Sequence, residues 1–159
     1  MASIWIDKKF KNTLEDIAEG RAGGGEKPFK NFAFVSVFAA GLAYEKKLSK
    51  EYKMNAKNKS TEIRDSTLDQ REYQKFINRL AVAHEGDLSV LAKNEEAKEK
   101  RFYIFQNYVN NGLKFFEDFR SKNPTDIDGV NSVTQLLIDQ CSKYNIEFAG
   151  TELGEVDFD

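Results

Sequence analysis

The sequence predicts a mainly α-helical domain of about five helices with a short strand at its front, and three observations predict it. Only two of the 159 residues are proline, long stretches are rich in lysine and glutamate, and apolar residues recur at helical spacing. Apolar residues make up 40% of the chain and aromatic ones 13%, enough to fill one core and too much for a disordered chain. Residues 1–144 are expected to form a single domain, and 145–159 an acidic, flexible tail.

Each element has its own signal. Ser3–Ile6 alternates Ile4 and Ile6 with Ser3 and Trp5, which suits a brief edge strand. Asp7 can cap the helix that follows, because its carboxylate accepts from free N–H groups of a first turn. Phe10, Leu14, Ile17 and Ala18 give that helix one apolar face, and Gly20 ends it. Arg21–Pro28 reads as a flexible connector.

A second helix, about Lys30–Leu48, can line one side with Phe34, Val35, Phe38, Leu42 and Leu48, while Phe32, Val37 and Ala40 occupy others. A helix apolar nearly all round is a buried, central one. Lys50–Asp69 is polar without a period and reads as a surface loop, holding Lys50, Lys53, Lys57 and Lys59. A third helix, about Gln70–Glu85, turns Tyr73, Phe76, Ile77, Leu80 and Ala81 inward and stops at Gly86, with one further turn over Asp87–Leu91.

Glu95–Ser121 is the longest periodic segment, with a stripe of Ile104, Phe105, Tyr108, Val109, Leu113, Phe116 and Phe119. Gly112 in its centre costs about 1 kcal/mol relative to alanine, which points to a close helix crossing there. Asn123-Pro124 stops it. A last helix, about Asp128–Tyr144, carries Val133, Leu136, Leu137 and Cys141.

The residues that would carry chemistry are sparse. Cys141 is the only cysteine and His84 the only histidine, so neither a thiolate metal site nor a histidine pair or triad can be assembled from one chain. Asp65/Asp69 and Glu95/Glu99 stand at helical spacing, a pattern that solvated helix faces produce routinely. Gly23-Gly24-Gly25 lacks both a preceding strand and a following Gly-Lys-Ser/Thr, so it is not read as a phosphate-binding loop. The aromatics from Phe102 to Phe119 pack as core, with Phe102 and Phe115 off the stripe and assigned to a partner-facing side. No catalysis, cofactor or metal is expected. Met1–Asp7 shows no secretory pattern and no apolar run spans a bilayer, so a cytoplasmic protein without membrane contact is the expectation.

The net charge of −2 conceals a strong asymmetry. Twelve Lys/Arg face seven Asp/Glu up to Ser60, a balance of +5, whereas residues 145–159 hold five acids and no base. A basic front suits contact with a polyanion or with the acidic tail. The order strand, capped helix, loop, apolar helix is also that of a ribbon-helix-helix module, in which strands of two chains pair. Ser3 and Trp5 are poor base readers, so backbone contact with double-stranded DNA is the better expectation. Lys8, Lys9, Lys11, Arg21, Lys27 and Lys30 are the candidate phosphate contacts.

At Lys27-Pro28-Phe29, followed by Val37-Phe38-Ala39-Ala40-Gly41-Leu42-Ala43-Tyr44, the chain resembles small helical proteins encoded beside bacterial DNA-phosphorothioation (Dnd-type) defence operons. Phe76-Ile77-Asn78-Arg79-Leu80-Ala81, Glu85-Gly86-Asp87 and Tyr108-Val109-Asn110-Asn111-Gly112-Leu113 extend the resemblance up to about Phe119. It implies a non-enzymatic accessory subunit of a defence system directed at foreign DNA, with the protein subunits of a complex as partners. It brings no catalytic residue. Two alternatives stand beside it: a ribbon-helix-helix dimer regulating transcription, and a scaffold without nucleic-acid contact. Homo-oligomers are compatible with all three.

Overall fold

A computed structural model describes residues 2–18 and 27–144. Residues 21–26 of the expected connector Arg21–Pro28 and the expected tail at 145–159 therefore lie outside the described residues. Helix α5 (Glu95–Arg120), 26 residues and about 39 Å long at 1.5 Å per residue, is the axis on which everything else is mounted. Asn94 starts it, accepting from the Ala97 N–H at 2.8 Å.

Strand β1 (Ser3–Asp7) leads into a 3-10 turn and α1 (Lys11–Ile17). Asp7 caps that turn as expected, accepting from the Lys9 N–H at 3.1 Å. Helix α2 (Phe32–Glu45) crosses α5, and this is the most extensive contact in the fold. The crossing is close because Gly112 has no side chain. A Cβ there would stand 1.8 Å from the Ala39 carbonyl oxygen. The inward side of α2 is correspondingly made of small residues, with Ala33, Ser36, Ala39, Ala40 and Ala43 buried beside Val35 and Leu42. Phe34, expected on that side, is instead exposed, its ring meeting Tyr73 edge-on at 5.5 Å.

The segment expected to be a loop, Lys50–Asp69, holds a second strand. Strand β2 (Lys59–Arg64) pairs antiparallel with β1, Ile4 opposite Ile63 and Trp5 opposite Glu62. It is followed at once by the single turn of α3 (Asp65–Leu68), which buries Leu68. The N-terminal strand thus exists as expected, with Ile4 and Ile6 fully buried, but its partner is in the same chain. That corrects the ribbon-helix-helix reading, which requires a strand from a second chain.

Helix α4 (Arg71–Glu85) buries Tyr73, Ile77, Leu80 and Ala81 and ends at Gly86, whose φ of 69° lies in the left-handed region. Helix α6 (Val130–Lys143) closes the fold. Buried Asp126 starts it, accepting from the Asn131 N–H at 3.1 Å and the Ser132 N–H at 2.8 Å. Burial alone would raise the Asp126 carboxyl, but the donors of Ser132 and Asn131 outweigh it and hold the group below its ordinary range. Val133 and Leu136 face the core, whereas Leu137 is exposed. Among the described residues no helix is long and apolar enough to cross a membrane.

Candidate nucleic-acid interface

Four amides on successive turns of α5 organise the surface. Gln106 and Asn110 face β1. The Trp5 N–H donates to Gln106 Oε1 at 2.7 Å and the Asp7 N–H to Asn110 Oδ1 at 2.9 Å. Asn110 Nδ2 returns a bond to the Trp5 carbonyl at 3.0 Å. Because backbone groups alternate across a strand, these are the groups turned away from β2. Side chains of a helix thus satisfy the outer edge of the strand at Trp5 and Asp7, where a second chain would have to add.

One residue further along α5, Asn107 and Asn111 repeat the device on another partner. Asn111 Nδ2 donates to the carbonyls of Leu48 and Lys50 at 3.1 and 2.7 Å, and Asn107 Oδ1 accepts from the Tyr52 N–H at 3.4 Å. The segment they hold, residues 46–59, runs from the end of α2 to the start of β2 as a strap across α5. Tyr52 fastens it further. Its hydroxyl donates to Asp7 Oδ2 at 3.0 Å, and burial, then this bond, raises the phenol above its ordinary range. Glu51 accepts from the Tyr103 hydroxyl.

The strap is strongly cationic. Lys46, Lys47, Lys50, Lys53, Lys57 and Lys59 are all exposed, and Glu51 is its sole acid. Lys47 has φ 56°, a left-handed position that usually falls to glycine, and it closes α2 through the Leu48 N–H to Ala43 carbonyl bond at 2.8 Å. Lys46 lies over the Phe115 ring at 5.5 Å and Lys59 over Trp5 at 5.6 Å. Ammonium groups resting over aromatic faces are limited in their wandering, and both lysines stay exposed.

Of the six lysines and arginines singled out in the sequence, Lys9 joins this surface, and Lys8 precedes it in the same 3-10 turn. Both are exposed, and Lys9 Nζ stands 5.2 Å from the centre of the Tyr52 ring. Lys9 also counteracts the upward push that burial and Asp118 exert on the Glu117 carboxyl. Lys11 is exposed on α1, 3.8 Å from Glu15. Lys27 is half-buried and serves the end of α1, donating to the carbonyls of Glu15 and Asp16 at 3.3 and 2.8 Å. Lys30 is exposed near the start of α2, the opposite end of that helix from the strap, about 20 Å away by helical rise. Arg21 lies outside the described residues.

The strap lysines are visible in the sequence as a cluster, but no local pattern discloses that α5 holds that cluster in place. Beside the strap, β1 and α5 leave an open groove of about 1040 Å³ lined by Trp5, Lys53, Lys59, Glu96, Glu99 and Tyr103 among others. Its charges are mixed.

Other sequence candidates find structural roles. His84 Nδ1 lies 3.1 Å from the Tyr108 hydroxyl, with the rings edge-on. Asp65 pairs with Lys98 at 2.5 Å. Phe102, assigned to a partner-facing side, is only 2% exposed and belongs to the core, whereas Phe115 is half-buried and stacked on Phe119 at 6.5 Å. Among the described residues, no three His, Cys, Asp or Glu side chains gather as metal ligands.

No curated protein and no solved structure matches the chain. A family model, described as DNA sulphur modification system-associated protein 4, matches residues 8–146. That span takes in α1 through α6, the strap and the amides of α5 that hold it. The chain therefore belongs to the family of DNA sulphur modification system-associated protein 4.

Proposed function

We propose that this protein is a non-enzymatic accessory subunit of a DNA sulphur modification system, acting in defence against foreign DNA, and that it grips the DNA backbone through the strap. The observation that carries this reading is the pinning of a segment with six exposed lysines onto α5 by Asn107, Asn111 and Tyr52. A free loop of the same charge would lose conformational entropy on binding, and a strap already fixed loses less. Lys9, against Tyr52, extends the same surface. Contacts of this kind read no bases, so affinity should be uniform over sequence and steep in salt.

The test is anisotropy titration of unrelated duplexes at two salt concentrations, with the native chain and with Lys50→Gln/Lys53→Gln/Lys57→Gln. The three changes should flatten the logarithmic salt dependence by roughly 2–3, at about 0.9 for each phosphate no longer neutralised. Absence of DNA binding by the native chain at low salt would remove the DNA reading.

In that event a second reading is favoured by the face of α6. Ile127 is 75% exposed, and Val130, Leu137 and Ile138 are 40–49% exposed on the neighbouring turns, a patch that suits a protein subunit.

A further inference from the structure

We propose that the acidic segment 145–159 occupies the lysine strap in the absence of DNA and must be displaced for DNA to bind. The inference rests on the DNA reading above and names the regulation of the same surface. Three observations carry it. First, the charges match. The segment holds Glu147, Glu152, Glu155, Asp157 and Asp159 without a single lysine or arginine, a charge of −5, and the strap holds six lysines and one glutamate, a charge of +5.

Second, the segment is delivered to the strap. Lys143 and Tyr144, the last residues before it, both bond to Glu45, the tyrosine hydroxyl at 2.5 Å. Glu45 is the final residue of α2 and Lys46, the next residue, is the first of the strap. The acidic segment therefore departs from the point where the strap begins. Third, the reach suffices. Fifteen residues extend to at most about 50 Å, enough to run along a strap of fourteen.

Tethering makes a weak contact sufficient. A short connection gives a local concentration on the order of millimolar. Acidic segment and strap with a dissociation constant of about 0.3 mM would then weaken DNA binding roughly fourfold. The contact is electrostatic and exposed, so salt should release it.

The experiment uses the full chain with Glu147→Gln, Glu152→Gln, Glu155→Gln, Asp157→Asn and Asp159→Asn together. A charge-matched control neutralises five exposed acids away from the strap, at Asp69, Glu72, Glu95, Asp128 and Asp139. Backbone amide NMR without DNA reads the contact directly. Signals of residues 46–59 should move between the native chain and the segment variant at low salt, converge at high salt, and stay in place in the control. A fluorescent duplex of random sequence should then bind the segment variant three- to tenfold more tightly than the native chain, in excess of any gain by the control. Unmoved strap signals, or a gain no larger than the control's, would overturn the proposal while leaving DNA binding intact. Should none of the three chains bind the duplex, the DNA reading falls, and with it the proposed competition. Moving strap signals would then show only that segment and strap touch.

Discussion

Two adjacent columns of α5 perform the same chemistry in different surroundings. Gln106 and Asn110 hold the buried strand β1, and Asn107 and Asn111 hold the exposed strap. Asn110 is inaccessible to solvent, so every bond it makes replaces one that water cannot supply. Asn111 is half-buried, and the strap carbonyls it serves are nearer to water. The bonds of Asn110 are therefore worth stability, whereas those of Asn111 are worth position. Burial, not the identity of the side chain, decides which.

The largest effect should come from disturbing the platform beneath both columns. Gly112→Ala drives a methyl group into the Ala39 carbonyl, which is backbone and cannot swing aside, so α2 must shift. A loss of about 3 kcal/mol or more is expected by urea unfolding, at the upper end of overpacking costs. Asn110→Ala comes next. It orphans the Asp7 N–H and the Trp5 carbonyl in a dry setting, for a loss of about 3 kcal/mol in the same assay.

Asn111→Ala should cost about 1 kcal/mol or less. Hydrogen exchange in residues 48–52 should nevertheless accelerate, and DNA affinity fall, because the strap is loosened. A stability loss equal to that of Asn110→Ala would erase the distinction between the columns. The smallest effect has the opposite sign. Lys47→Gly relieves a left-handed lysine and should add about 0.5–1 kcal/mol of thermal stability while weakening DNA binding at low salt. A lysine kept where glycine fits better is what a charged surface would require.

Much of this architecture is legible in the sequence because it is local. The caps at Asp7 and Gly86, the span of α5, and the crossing at Gly112 all follow from a few neighbouring residues. Strand β2 is not legible, since Lys59-Ser60-Thr61-Glu62-Ile63-Arg64 contains one apolar residue and becomes a strand only because β1 lies beside it. The inward side of α2 is hidden for a related reason. Large residues such as Phe34 look like core in isolation, whereas proximity to Gly112 selects alanines there. The strap shows in the sequence as charge without a mounting, because Asn107 and Asn111 act on residues some 55 to 63 positions earlier. The structural role of Lys27 is equally concealed, because nothing local discloses the free carbonyls at the end of α1.

The reach of Asn110 back to Trp5 and Asp7, across more than a hundred positions, also orders events during synthesis. The first strand leaves the ribosome long before β2 and the centre of α5 exist, and it has no partner until both have emerged. Early folding is therefore confined to the helical segments, and closure of the sheet is a late, long-range step. Chains interrupted before residue 110 would present an unsatisfied apolar strand, the kind of ending that chaperones and proteases recognise.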